Sequence, residues 1–524
     1  MIIGAGHNGL VAANRLVDAG WSVLVLEATD SPGGAVRSAE VTADGFASDL
    51  CSAFYPLAAA SPVLAGLGLH KYGLRWRHAP LVLAHLLPDD RCVALSRDLD
   101  ETAASVESFA AGDGDVWRAE VADWQRIRAD LLGALLQPFP PIRSAARLAR
   151  RLGSADLLRF TRFALLSARR YGEERYAGDG ARLLIAGNTL HTDLTPESSG
   201  GAVFGWLLAM LGQDVGFPVP EGGAQRITDA LVNRFRGRGG ELVCGASVRE
   251  VVVRDGRALG VRTAAGEALR ARRAVLADVP APALYLDLVG PAHLPARLVA
   301  DLHRFQWDNG TVKVDWALSG PVPWTAVPAR RAGTVHLGMD LDGLTGYAAS
   351  LTTGRVPKVP FLLLGQMTTA DPSRSPAGTE SVWAYTHVPR GLRWTDDLAL
   401  RVAERMEAVI ERHAPGFAGL VVGRHLEAPP DLERKNPSLA GGAINAGSAG
   451  IHQQLFLRPV PGLGRADTPV DRLFLASASA HPGGGVHGAC GANAARAALA
   501  RDRVGTGKVY AAGIRLAGRA AHGR

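Results

Sequence analysis

The chain is poor in cysteine, with Cys51, Cys92, Cys244 and Cys490 set far apart and no C-x-x-C pair among them. That spacing excludes a structural zinc site, a dithiol redox centre and a disulfide framework. Lysine is scarce as well: Lys71, Lys313, Lys358, Lys435 and Lys508 are the only five, so the formal charge of +7 is carried almost entirely by arginine. The arginines are interspersed with acids and no nucleic-acid module signature occurs, so no nucleic-acid partner is expected. No basic region leads into an apolar stretch at the N-terminus, which argues against a secretory signal. The longest uncharged stretch, Leu50 to Leu69, is interrupted by Pro56 and Pro62 and makes a poor membrane span. A cytoplasmic location is the expectation, with peripheral membrane contact as its variant.

What is present is 524 residues with 47% hydrophobic content, enough chain for several buried cores. The clearest motif comes first. Ile2 and Ile3 read as the end of a buried strand, Gly4-Ala5-Gly6-His7-Asn8-Gly9 as a turn, and the alanine-rich run from Leu10 through Leu16 to Gly20 as a helix. Gly4 allows the tight turn, Gly6 lets backbone approach a pyrophosphate, and Gly9 lets helix pack on strand, while free N–H groups at the helix start offer bonds to phosphate. A second buried strand, Trp21 to Glu27, ends in an acid, and Glu27 stands where a carboxylate accepts from ribose hydroxyls. Just beyond, Gly33-Gly34 permits a second close approach, and Arg37 supplies a cation for a phosphate. Only Met1 to Ile3 precede Gly4, so the first strand is expected to be short or the start truncated.

The run from Gly4 to Arg37 resembles the FAD-binding signature of phytoene desaturases and their amine-oxidase-like relatives. The resemblance resumes from Leu473 to Gly488 and in the middle segments Glu221 to Val248 and Ala274 to Asp278; it is nearest to the phytoene dehydrogenase-related group named pyridine nucleotide-disulfide oxidoreductase domain-containing protein type 2. It implies an α/β fold: a Rossmann-like FAD-binding domain of discontinuous segments, about 1–75, 215–290 and 460–500, with an inserted α+β substrate domain, about 76–214 and 291–459, and a C-terminal tail from 501 to 524. It implies FAD as cofactor, held by Gly4, Gly6, Asn8, Gly9, Glu27, Gly33, Gly34, Arg37, Val248, His481, Gly484, Gly485 and Val486. Ala478 stands where many relatives place an aspartate for the flavin's ribityl chain, a departure shared with phytoene desaturases. No second strand–glycine–helix–acid unit is found for a nicotinamide cofactor, so reoxidation by oxygen or a quinone is expected.

Patterning outside these segments is coarser. Glu241 to Arg273 reads as a small antiparallel set of strands, Gly310 to Leu318 and Ser381 to Val388 as strands with one covered face, and Glu101 to Leu136 and Asp396 to Arg412 as long helices. The stretch from Arg143 to Arg170 is basic and apolar together at helical spacing, which suits a substrate-domain helix or a membrane-docking face.

A flavin oxidation needs a dry pocket and few side chains. Lys313 is the first catalytic candidate, because it interrupts an apolar strand; it shares a face with Asp315 and either meets water or lines a cleft. Amine-oxidase-like relatives carry a lysine on a comparable strand that holds a water near the flavin. His387 and His452 are the next candidates, His481 and His487 bracket the glycines expected to touch the cofactor, and Trp383 and Tyr385 offer aromatic walls or core. The expected function is FAD-dependent dehydrogenation of a small lipophilic substrate. The alternatives are an isomerase or saturase on the same fold, or a non-catalytic lipid- or prenyl-binding protein. A homo-oligomer is compatible with the sequence.

Overall fold

Ile2–Ile3, only two residues long, lies at the centre of a five-stranded parallel sheet ordered Leu473–Leu475, Val275–Ala277, Ile2–Ile3, Leu24–Leu26, Glu241–Val243. The computed structural model describes residues 1–523. Short as it is, this strand pairs on both sides, Ile2 with Leu276 and with Val25, and the Met1 amine donates to the Ala274 carbonyl at 3.0 Å. Buried parallel strands are apolar throughout because helices cover both faces. Here the helices His7–Asp18, Gln225–Arg236 and Ala489–Asp502 bring Leu10, Ile227, Leu231 and Ala494 to one core. The carboxyl ends of the strands open into Gly4, Glu27 and Asp278, and a crevice at that edge is where such sheets take ligands.

The stretch 241–273 divides in two. Glu241–Val243 joins the parallel sheet, whereas Val248–Arg254, Arg257–Thr263 and Ala268–Arg270 make the antiparallel set on its other face.

A second sheet has seven strands in the order Val421–Glu427, Gly310–Leu318, Glu380–Val388, Leu362–Gln366, Ala332–Leu337, Leu81–Leu86, Cys92–Leu95. Its two faces differ. Val312, Val314, Trp316, Val382, Ala384 and Leu364 pack with Met406 and Ile410 of the helix Asp396–His413. The register puts Lys313, Tyr385, Leu363, His336 and His85 in one row across the other face. At about 4.8 Å per strand that row spans roughly 19 Å.

Helices from 99 to 214 cover this second face. The long helical stretch read from Glu101 splits into Leu99–Glu107 and Asp113–Leu135, because Gly112 takes φ 89° between them. The basic, apolar stretch forms Ile142–Phe163, kinked at Gly153, and Ala168–Arg175; Ile142 and Leu158 are exposed, and Arg147 and Arg151 both pair with Asp130. Asp49 and Arg374, both fully buried, pair at 2.5 Å and tie the strand Ala47–Asp49 to the turn between Leu362–Gln366 and Glu380–Val388. The residues read as a tail contain the helix Thr506–His522. Among the described residues no helix is long and apolar enough to cross a membrane.

Candidate functional site

The turn at the head of the first helix is built on three absent side chains. Gly4 has φ +89°, and a Cβ there would stand 2.8 Å from the Asp278 carbonyl oxygen. A Cβ on Gly9 would stand 2.2 Å from the Gly4 carbonyl oxygen, and one on Gly6 would meet the Asp278 carboxylate at 2.7 Å. Backbone N–H groups do the rest. Gly4 N–H is bound to Leu26 O, Ala5 N–H to Glu27 Oε2 and Gly9 N–H to Asp278 Oδ2. Those of Gly6, His7 and Asn8 find no acceptor among the described residues. Unpaired N–H groups at a helix start are an anion site.

Glu27 is almost buried and pinned: besides Ala5 N–H it accepts from Thr29 N–H at 2.9 Å and from the Thr29 hydroxyl at 2.8 Å. With about four lone-pair positions on a carboxylate, one remains for a ribose hydroxyl. Gly245 and Ala246 bond back to Thr29 O and Glu27 O, which brings the start of the strand at Val248 alongside. Gly33 N–H donates to Ala5 O, and a Cβ on Gly34 would lie 3.3 Å from Gly6 Cα, so the doublet lies against the first turn. Arg37 donates to Gly34 O, Ser31 Oγ and Lys435 O, all neutral acceptors, and its charge stays free for a phosphate. Glycine positions that a Cβ would fill, free N–H groups and an uncompensated arginine fit the pyrophosphate of a dinucleotide.

The C-terminal segment closes on this turn. Asn8 is buried, its Oδ1 3.5 Å from Gly491 N, and a Cβ on Gly491 would meet Asn8 O at 1.9 Å. Gly484 lies against Asn445, Gly485 against Leu57 and His487, and Val486 packs on the helix core. His481 bonds through Nε2 to Gln137 O, and burial lowers its pKa to about 4; His487 accepts from Ala489 N–H through Nδ1, and burial lowers it to about 3. Both rings are neutral at physiological pH.

Two residues that were not among the expected cofactor or catalytic residues shape the site. Asp278, directly after a buried parallel strand, lies at the crevice edge, and that position was its one sequence signal. Burial, with Glu27 nearby, raises its pKa from the usual aspartate value to about 7. Arg458 is fully buried with no carboxylate partner among the described residues; it donates to the carbonyls of Ala478, Ser448 and Asn445 and so stitches together the loops around Ala478. Burial lowers its pKa to about 10.

The Asp278 shift has a worked sign. An acid whose pKa is raised in the fold is favoured in its neutral form, so the ionised form costs free energy that accumulates as pH climbs from the unfolded value toward about 7. Cofactor phosphate placed beside it adds to that cost above pH 7. Affinity for FAD is therefore expected to fall as pH rises through 7, and Asp278→Asn to flatten the dependence and tighten binding above pH 7 by about tenfold, ~1.4 kcal/mol. Flavin fluorescence titrations of the apoprotein across pH measure both; identical curves for the two proteins would remove Asp278 from the phosphate site.

The catalytic candidates separate. Lys313 is 4% exposed and pairs with Asp315, and its strand is second in the sheet, so it faces the interior rather than water. Trp383 and Tyr385 stack at 5.9 Å on the same face, with Phe54 6.1 Å from Trp383. His387 is fully buried, donates through Nε2 to Leu190 O, and lies 3.9 Å from Asp193 through Nδ1. His452 is exposed and bonded to the Gln306 amide oxygen at 2.6 Å. Lys313 alone of the three combines burial with electrostatic reach to Cys51, which Arg37 also reaches. The neighbouring Cys51 thiol, raised to about 11 chiefly by burial, is within electrostatic reach of Lys313, Glu427 and Arg37, and Ser52 N–H bonds to Ala35 O.

Residues 9–499 match the protein family described as flavin containing amine oxidoreductase. The chain is 26% identical over 540 residues to mouse pyridine nucleotide-disulfide oxidoreductase domain-containing protein 2, covering 94% of this chain and 92% of that one. It is 26% identical over 516 residues to the lycopene-forming phytoene desaturase of Pseudescherichia vulneris, covering 95% and 98%. Among solved structures, an oxidoreductase from Methanosarcina mazei superposes with a TM-score of 0.61 at 16% identity over 95% of this chain and 99% of that one.

Proposed function

Because the chain belongs to the flavin containing amine oxidoreductase family and is an FAD-dependent oxidoreductase, we propose that it dehydrogenates a small lipophilic substrate, with oxygen or a quinone as final electron acceptor. FAD, when bound, supplies the two-electron acceptor for a hydride. The observation that carries the reading is the composition of one sheet face: a buried lysine, a stacked Trp383–Tyr385 pair and Leu363 in a single environment. The aromatic and aliphatic side chains orient an apolar substrate and exclude water. Lys313 offers a group to hold a water or stabilise developing negative charge in that dry setting. The relative that forms lycopene acts on a molecule of this physical class, which supports the reading. Exposed Ile142 and Leu158, on an arginine-rich helix, suit delivery of such a substrate from a membrane surface.

Only one all-parallel sheet with one such glycine turn occurs among the described residues. The purified protein is therefore expected to be yellow, to bleach without oxygen when given a turnover substrate from a lipophilic library, and to react with NADPH at least about a hundredfold more slowly than with that substrate, ~2.7 kcal/mol in barrier. Anaerobic stopped-flow absorbance measures all three. Rapid, saturable bleaching by NADPH overturns the choice of reductant, and a protein that takes up no FAD overturns the function.

A further inference from the structure

Lys313 does not stand alone on its face. Its partner across the neighbouring strand Val421–Glu427 is Glu427, and Asp315 opposes His425, so four ionisable side chains occupy adjacent positions on two paired strands. Directly opposed side chains have Cβ atoms about 5 Å apart. Lys435, at the end of the helix Pro429–Lys435, closes the group, with Nζ 2.6 Å from Glu427 Oε1 and 3.2 Å from His425 Nε2. The two inner groups are buried and the two outer ones reach solvent. Glu427 is 1% exposed and Lys313 4%, whereas His425 is 30% and Lys435 38%. Neither Glu427 oxygen has an aligned hydrogen bond among the described residues, so both are held by charge alone and stay open to a proton.

Both ends of the series border the cofactor cleft. Arg37 donates to Lys435 O, Asn436 Nδ2 lies 3.8 Å from where a Gly34 Cβ would be, and Cys51, next to the Ala35-bonded Ser52, feels Lys313 and Glu427. Buried charges are costly, and apolar residues of the same volume stabilise a core as well or better. Two acids and two lysines at this spot therefore ask for a reason beyond packing.

Oxidation of a saturated carbon–carbon bond supplies one, because of the two hydrogens removed one leaves as hydride and the other as a proton, which must cross a dry interior. We propose that Glu427, Lys435 and His425 form the proton path between Lys313 at the flavin cleft and bulk water. This rests on the function proposed above. In the outward direction an N–H bond of Lys313 breaks, a bridging water takes that proton and gives up one of its own, and an O–H bond forms on Glu427. Lys435 passes one of its protons to His425 Nε2 and is refilled from Glu427, and His425 releases a proton to water. No electrons move along the path, and each group returns to its starting state once Lys313 is reloaded from the substrate. His425 starts neutral, since burial and then Lys435 hold its pKa below the usual imidazole value. The charged or titratable groups facing the series are Asp315, Cys51, Arg37 and Asp308. Glu427, Lys435 and His425 act through Lys313 and are positioning residues.

The experiment needs no substrate. The full-length holoprotein is photoreduced under argon and mixed with dioxygen, whose reduction to hydrogen peroxide by the two-electron-reduced cofactor takes up one proton from water. Glu427→Gln and His425→Ala are expected to slow reoxidation by at least about tenfold, small beside the 10²–10⁴ that a full proton-transfer group contributes. Both are expected to flatten its pH profile, and imidazole buffer to restore the rate of His425→Ala. A pH jump on the reduced protein under argon, followed by absorbance, reads the same proton movement without any acceptor. Should Glu427→Gln fail to fold, the partly exposed His425 variant and its rescue carry the test. Unchanged rates and profiles in yellow protein, or slowing of His425→Ala that imidazole does not relieve, overturn the path alone; wild-type protein that binds no FAD overturns path and function together.

Discussion

Gly9→Ala is expected to give a folded but colourless protein. The added Cβ would stand 2.2 Å from the Gly4 carbonyl oxygen and 3.1 Å from Asp278 Oδ2 and Cβ. The first of these is backbone, and it cannot retreat: Gly4 is held in a left-handed conformation with its N–H on Leu26 O. The helix must therefore lift from the strand, carrying with it the free N–H groups of Gly6, His7 and Asn8. Overpacking of this kind costs about 1–3 kcal/mol, and displacement of the N–H groups by even 1 Å takes them out of bonding distance to phosphate. FAD occupancy after purification, read from the ratio of flavin to protein absorbance, is expected to fall at least about tenfold, as ~1.4 kcal/mol of lost binding requires. Gly346→Ala is the matched control. It lies in the helix Leu341–Thr352 with nothing within 4 Å of its Cβ position, so it should keep full colour and gain about 0.5–1 kcal/mol in stability. Full FAD content in Gly9→Ala would refute the placement of the cofactor at this turn.

Lys313→Met carries the second large effect, and its burial changes how the test must be built. Lys313 and Asp315 are a buried pair, 4% and 2% exposed. Removing the lysine alone leaves an uncompensated carboxylate, a loss of roughly 3–5 kcal/mol in comparable cases. Burial already raises the Asp315 pKa, and Lys313 is what chiefly opposes that rise, so the single variant should take up a proton at Asp315. The cleaner variant is Lys313→Met with Asp315→Asn, which removes both charges and keeps the volume. It is expected to fold and bind FAD, and to slow either flavin reduction by substrate or reoxidation by at least about tenfold, ~1.4 kcal/mol in barrier. Timing both half-reactions decides it. Unchanged rates in each would make the pair purely structural.

What the sequence made legible is what lies close together in it. The strand, turn and helix from Ile2 to Leu16, with Glu27 after the second strand, form a local unit in which spacing alone sets the geometry. Alternation likewise separated Lys313 and Asp315 from Val312, Val314 and Trp316. Burial of both faces was beyond that pattern, since it follows from helices about 100–200 residues earlier in the chain covering the lysine's side. Asp278 reaches Gly9 across 269 residues, and Arg458 is satisfied by carbonyl oxygens that no side-chain pattern reveals. Glu427 and His425 meet Lys313 and Asp315 only through a strand register. The helix read from Glu101 onward was split by Gly112, whose positive φ depends on the packing of the two helices it joins.

The two-residue strand at the centre of the parallel sheet also sets a schedule for synthesis. Ile2 and Ile3 leave the ribosome well before their partner Val275–Ala277, which comes some 270 residues later, and that strand's own outer neighbour is Leu473–Leu475. At roughly 5–20 residues per second the nascent chain waits on the order of half a minute to a minute and a half before the sheet can close. During that interval the apolar helix faces of residues 7–18 and 225–236 have no complete sheet to cover them. Folding yield is thus exposed to chaperone supply and translation speed at the start of the chain, and release of residues 473–502 becomes the event that commits the nucleotide-binding half to its final form.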